Sequence, residues 1–383
     1  MSDNPLKTRL CEEFGVEFPI VAFSHCKDVV AAVINAGGMA CYGALSETPE
    51  GIASTAAWIR ERVGDKPFGM DSVMPASVPD TASKEDLLKQ VPKTHWDFVQ
   101  KIREEFNLPP AKFYPKGEEP PTPHGKPLSN YGKQSDGQTF THENLRKEFE
   151  AMLDVKVPFI VSGLGSPAWV SEAAHARGIS VWGLIGRVRQ AVREAQAGVD
   201  YIVAQGYDAG GHTGEVGTFS LVPRVAEAVA PVPVIAAGGV ASGRHLVASL
   251  ALGAVGTWSG TLWLTTREDD GHMVWKQKLL DASEDDTVRS RCLSGKTIRQ
   301  IKTTWTEMWD RPDAPGYLPM PLQGLLVNEI VTSINQNEIE ELMPAVGGQG
   351  VGMMKEMKPC REVIMDIIGD ASDTLDRIGG LKV

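Results

Sequence analysis

One histidine of this chain stands among glycines. His212 lies in the run DAGGHTG at residues 208–214. An imidazole titrates near ~6.5, so it can accept a proton at neutral pH. The flanking glycines remove side chains beside the ring and leave room for a ligand to reach it. Two more glycine clusters follow, Gly238-Gly239 and Ser259-Gly260-Thr261, each at the end of a short apolar run. Glycine allows the backbone close to a ligand, and free N–H groups at a helix start favour an anion. The pattern predicts a phosphate-binding pair of loops with a general base beside it. On their own, the same glycines would also serve as tight strand-to-helix turns.

Such loops need a scaffold that delivers them to one place. Apolar runs near residues 20, 40, 69, 159, 181, 202, 235 and 256 read as eight buried strands. Amphipathic stretches at 26–36, 49–63, 142–153, 167–177, 187–197, 221–229 and 243–252 read as helices between them. Thr48 followed by Pro49 is a helix start, because Thr suits the N-cap and Pro the first turn. Eight strands with intervening helices predict a closed (β/α)8 TIM barrel, an α/β fold. In such barrels the loops after strands seven and eight commonly hold a phosphate, and here those loops carry Gly238, Gly239, Gly260 and Thr261. The first strand is not followed by GxGxxG, which argues against an open dinucleotide-binding sheet.

The rhythm fails at residues 72–140, which hold 10 of the 25 prolines. Proline removes a backbone donor and disturbs its neighbour, so this is a Pro-rich insertion after strand three. Two short helices, 83–90 and 94–106, are expected inside it. A lid, a dimer contact (hence a homodimer) and neither of these are all open roles for it. Residues 265–345 read as a C-terminal helical annex. The expectation is one barrel domain over 1–383 with these two additions. Within the annex Lys296, Arg299 and Lys302 could meet an acidic substrate, but read more simply as a solvated helix face.

Composition excludes several functions. The net charge of -11 argues against a nucleic-acid surface. There is no apolar run of membrane-spanning length and no apolar leader, so a soluble cytoplasmic protein is expected. The five cysteines are scattered and have no zinc spacing, which predicts free thiols, no disulfides and no metal site. Cys26 is the one to watch, since it follows the first strand. Among the other histidines, His175 and His245 read as solvent-facing on outer helices, while His25 follows strand one and could face the pocket.

The motifs AQGYDAGGHTG, PVIAAGGVASGR and LGAVGTWSGTLWL resemble the nitronate monooxygenases, also called 2-nitropropane dioxygenases. FPIVAFSHCKDVVAAVINAGG, PFGMD, PLQGLL and GGQGVG extend the resemblance over most of the chain outside 72–140. It implies a (β/α)8 barrel with non-covalent FMN, a flavoprotein oxidising alkyl nitronates with O2 to carbonyl compounds and nitrite. His212 matches the catalytic base. Gln205 and Gly210 match flavin contacts, and Gly211 lies beside them. Gly238, Gly239, Trp258, Ser259, Gly260 and Thr261 match the phosphate and flavin positions.

Two departures bear on the substrate. The family commonly reads PI-x-x-APM in the first strand, whereas this chain has Phe23, Ser24 and His25, with Ser24 by the cofactor and Phe23 and His25 in the substrate pocket. Asp71 falls where the family places an asparagine beside the flavin, exchanging an amide donor for a group that only accepts when ionised. The alternative reading is a flavin-dependent reductase or dehydrogenase of the same superfamily, acting on a quinone, an enone or an acyl-CoA-type substrate with NAD(P)H as redox partner. A flavin-binding protein without turnover would leave His212 without a purpose.

Overall fold

Nine strands lead up to the C-terminal third of the chain: β1 (Ile20–Ser24), β2 (Met39–Gly43), β3 (Phe68–Val73), β4 (Phe159–Gly163), β5 (Ser180–Ile185), β6 (Tyr201–Gln205), β7 (Gly211–His212), β8 (Val234–Ala237) and β9 (Gly256–Ser259). All but β7 are parallel and close into a barrel, with β1 returning to β9 through Ile20↔Thr257, Val21↔Trp258 and Ala22↔Ser259. Barrel strands seven and eight are therefore β8 and β9. These are the coordinates of a computed structural model, which describes residues 6–45, 47–73, 79–113, 141–165 and 168–380. The 114–140 part of the insertion, with His124, lies outside the described residues.

The barrel forms because its strands bury both faces. Val21, Met39, Val161, Trp182, Val203 and Ile235 point inward, and each buried side chain of this size contributes ~1.5–3 kcal/mol. At the amino end, Phe159 stacks on Trp182 with centroids 4.2 Å apart. Gly69 makes this possible, since a Cβ there would lie 2.2 Å from the Phe159 ring. A helix at Arg9–Phe14 seats Phe14 edge-on against Phe159, Trp182 and Tyr201, sealing that end. Only the carboxyl end is left to hold a ligand.

The helices follow the expected pattern. Thr48 Oγ1 accepts from Gly51 N at 3.1 Å, with Pro49 in the first turn of the helix Pro49–Val63. Cys360–Gly379 packs on Gly243–Ala251 so closely that a Cβ on Gly243 would lie 2.1 Å from Ala371 N.

A second hydrophobic cluster sits apart from the barrel. The insertion helix Lys93–Glu105 brings Phe98 and Ile102 to Trp305, Trp309, Ile330 and Ile334 of the C-terminal segment. Insertion and annex thus share one core. The annex is not helical throughout, because it also contains an antiparallel pair, β10 (Thr287–Ser290) and β11 (Ile298–Ile301). This corrects the helix-face reading of Lys296 and Arg299. The turn at Gly295, with φ 82°, and the β-branched Thr297 and Ile298 favour an extended chain, and Arg299 is only 2% exposed. Lys302 does face solvent, paired with Glu307 at 3.2 Å. The third strand of this sheet is β7, so the annex clasps the histidine itself.

Candidate active site

A cavity of about 1820 Å³ opens at the carboxyl end of the barrel. It collects every residue expected at the base, the flavin or the substrate pocket. Phe23, Ser24 and His25 come from the end of β1, Asp71 from β3 and Gln205 from β6. Gly210, Gly211 and His212 come from the loop after β6, Gly238 and Gly239 from the turn after β8, and Trp258, Ser259, Gly260 and Thr261 from the end of β9.

The two glycine turns make an anion nest. Gly238 and Gly239 have φ of 103° and 71°, which only glycine adopts without strain. The helix Gly243–Ala251 begins just beyond them. Among the described residues, no protein acceptor meets the N–H groups of Gly239, Val240, Gly260 or Thr261. Four such donors facing one cavity suit a phosphate. Beside them Phe23 stacks on Trp258 with ring centroids 5.7 Å apart and planes at 22°, a flat apolar wall of the kind a ring system packs against. Some predicted contacts carry structural duties as well. Ser24 Oγ accepts from Cys26 N at 3.0 Å, Trp263 Nε1 donates to Ser259 Oγ at 3.1 Å, and Thr261 Oγ1 accepts from Gly348 N at 3.0 Å.

His212 is held in β7, paired with Ile298 of β11. Its Nδ1 is buried and, among the described residues, makes no hydrogen bond of close geometry, so Nε2 is the nitrogen left to meet a ligand. With the ring proton assigned to Nδ1, Nε2 presents a lone pair to the cavity. Burial first, and then the nearby charge of Lys296, push the imidazole down to about 4, with the Thr297 backbone pulling the other way. At neutral pH the ring is therefore uncharged, as a base must be.

Asp71 is 8% exposed. Burial, reinforced by the charge of Glu148, holds its carboxyl well above the usual range. The raised pKa favours the protonated form, in which Asp71 has an O–H to donate where the family's asparagine has its amide. His25 does line the cavity, with Nδ1 2.9 Å from the Gly43 carbonyl. Gly43 makes space for it, since a Cβ there would lie 2.5 Å from the ring. His175 is exposed and pairs with Asp200 at 2.9 Å. His245, expected at the surface, is instead half-buried and accepts from Ala241 N at 3.3 Å. Cys26 stays a thiol, because burial and then Asp270 push it up to about 12. All five cysteines are free and buried.

Two groups of the site escape a reading by motif alone. Lys296 lines the cavity from the turn before β11. The late glycines 347–350 interlock with the histidine loop, where Gln349 N donates to the Asp208 carbonyl at 2.9 Å. A glycine-rich run was visible there, but not what it touches.

Fold and site together define a class: a (β/α)8 barrel with glycine turns and free backbone N–H groups after its last two strands and a buried histidine beside them. The chain belongs to the nitronate monooxygenase family, whose model matches residues 5–370. It is a flavin-dependent oxidoreductase of that kind. It is 40% identical to Rv1533 of Mycobacterium tuberculosis, named as a monooxygenase, over 98% of this chain and 99% of that one. It is 26% identical to a Staphylococcus aureus protein named as a nitronate monooxygenase, over 96% and 98%. The fold is similar to that of a nitroalkane oxidase from Streptomyces ansochromogenes (TM-score 0.77, 22% identity, 96% and 99% covered). It is also similar to FabK from Thermotoga maritima (TM-score 0.71, 25% identity, 97% and 98% covered). Among the described residues no helix is long and apolar enough to cross a membrane.

Proposed function

We propose that the enzyme holds FMN and oxidises alkyl nitronates and nitroalkanes with O2 to a carbonyl compound and nitrite, with His212 as the base. The observation that carries this is the neutral His212, its Nε2 open to the cavity that the phosphate nest also lines. A nest with four free N–H groups suits the single terminal phosphate of FMN. Gly238, Gly239, Gly260 and Thr261 would hold that phosphate, and Ser24, Asp71, Gln205, Gly210, Gly211, Trp258 and Ser259 would border the flavin. The flavin supplies the electron transfer with O2. The protein supplies the rest: Phe23 and His25 bound the substrate space, and His212 takes the proton from the carbon beside the nitro group.

A second reading keeps the flavin and changes the substrate. The cavity runs out to Lys112 and Phe113 of the insertion and to Arg187 and Arg193, giving room for a longer molecule such as a quinone, an enone or an acyl-CoA. Anaerobic mixing separates the two. Bleaching of the yellow enzyme by a nitronate and not by NADH or NADPH supports nitronate oxidation, and the reverse pattern overturns it. His212→Asn should abolish turnover of neutral nitroalkanes with flavin still bound; unchanged turnover would remove His212 from the role of base.

A further inference from the structure

The bend that leads into β11 brings a second polar group to the cavity that His212 lines. His212 lies opposite Ile298, and Thr213 N donates to the Thr297 carbonyl at 3.4 Å, so the pairing runs one residue past β7. Lys296 lies in the bend just before β11, next to Thr297 and so at the end of this pairing. Gly295, at φ 82°, turns the chain just before it. Both residues line the cavity.

The other cations of this sheet are already engaged. Arg289 binds Glu215 at 2.6 and 3.0 Å, and Arg299 donates to the Tyr207 carbonyl. Lys296 is half-buried, and among the described residues it has neither an ion pair nor a hydrogen bond to its ammonium. It is also the charge that acts on His212. An ammonium half-withdrawn from water calls for an anionic partner, and the imidazole near it, with a lone pair at Nε2, calls for a proton; a nitroalkane supplies both, in its oxygens and its acidic C–H.

We propose that Lys296 and His212 form a two-point clamp on the substrate, Lys296 holding the oxygens of the nitro or nitronate group while His212 addresses the adjacent carbon. The inference rests on the nitronate reading above. In the proton-transfer step the C–H bond breaks and the proton goes to Nε2. The C–H electron pair forms the C=N bond, and an N=O pair moves onto oxygen. Negative charge thus grows on the two oxygens, where the ammonium of Lys296 stabilises it more than in the ground state.

The test uses flavin-loaded enzyme and nitrite, a small oxyanion with the same two oxygens, followed by the change in flavin absorbance. Lys296→Met should weaken nitrite binding tenfold or more and lower kcat/KM for a neutral nitroalkane by a similar factor, with flavin content and Tm unchanged. Lys296→Arg should restore most of both, which a merely structural role would not predict. Equal nitrite affinity in Lys296→Met and the unsubstituted enzyme, or no nitrite binding by the latter, overturns the clamp. Lys296-dependent nitrite binding in an enzyme that turns over no nitronate upholds the clamp and removes the nitronate reading alone.

Discussion

Arg299 holds the Tyr207 carbonyl with two donors, Nε at 3.3 Å and Nη2 at 3.1 Å. Its guanidinium also lies 4.5 Å from the Tyr207 ring centroid, and Nη1 donates to Thr287 Oγ1 at 2.9 Å. One buried side chain of β11 thus fixes the loop that ends in His212, although the two are distant in sequence. Arg299→Lys keeps the charge but cannot reproduce the fork. Each charge-assisted bond lost costs ~1.5–3 kcal/mol. Urea unfolding should show that loss, and kcat should fall several-fold with flavin retained. Wild-type stability in this variant would mean that Arg299 does not hold the loop.

His212 sets a distinctive pH dependence. A histidine that serves as the base must be neutral, and burial pushes His212 down to about 4 in the fold. The kcat/KM for a neutral nitroalkane should therefore stay flat from pH 7 down to pH 5, with no limb near pH 6.5. Stability moves the other way from the usual histidine. The unfolded chain takes up a proton below ~6.5 and the folded one does not until about 4, so stability falls as pH drops through that window. The fall is about 3 kcal/mol at most, by the cost of each pKa unit. Chemical denaturation of wild type and His212→Asn between pH 7 and pH 4 measures it, and the variant should lack this component.

Asp71 contributes with the opposite sign. Its folded pKa is raised, so the native state holds a proton that the unfolded chain releases above ~3.9. It therefore costs stability increasingly as pH rises from 4 toward neutrality. Asp71→Asn keeps a donor and removes the buried acid. The variant should have a higher Tm than wild type at pH 7, a smaller advantage at pH 4, and turnover within a few-fold. An equal Tm difference at both pH values would mean that Asp71 is ionised in the fold.

The sequence carried the barrel and most of the site because both are local. Each strand is a short apolar run, and each residue of the glycine turns lies next to the strand that delivers it. His212, Gly238, Gly239, Gly260 and Thr261 could all be found that way. What the sequence hid is pairing between distant segments. Residues 297–301 have no strand signature of their own strong enough to exclude a helix, because their partner, Gly211–His212, lies far back in the chain. Lys296 and Arg299 therefore read as surface charges until the third strand is seen. Likewise the sequence shows Asp71 as an acid, and only its burial, reinforced by the charge of Glu148, shows that the fold favours its protonated form.

Two adjacent glycines give a controlled test of how the histidine loop is supported. A Cβ on Gly348 would lie 2.7 Å from Gly210 N, 2.8 Å from the Asp208 carbonyl oxygen and 3.0 Å from Ala209 C. All three are backbone atoms of the loop that carries His212, so the loop itself must shift. A Cβ on Gly347 would meet Leu279 Cδ2 at 2.7 Å, the far end of a flexible side chain that can turn away. Gly348 has φ -88°, within reach of any residue, so the difference between the two is steric and not conformational. Overpacking of this kind costs ~1–3 kcal/mol. Gly348→Ala should lower Tm and reduce kcat tenfold or more, because moving Nε2 by a fraction of an ångström spoils the approach to the substrate carbon. Gly347→Ala should change both little. Thermal unfolding and turnover of the two flavin-loaded variants decide the matter, and equal behaviour would mean that the 347–350 run does not position the base.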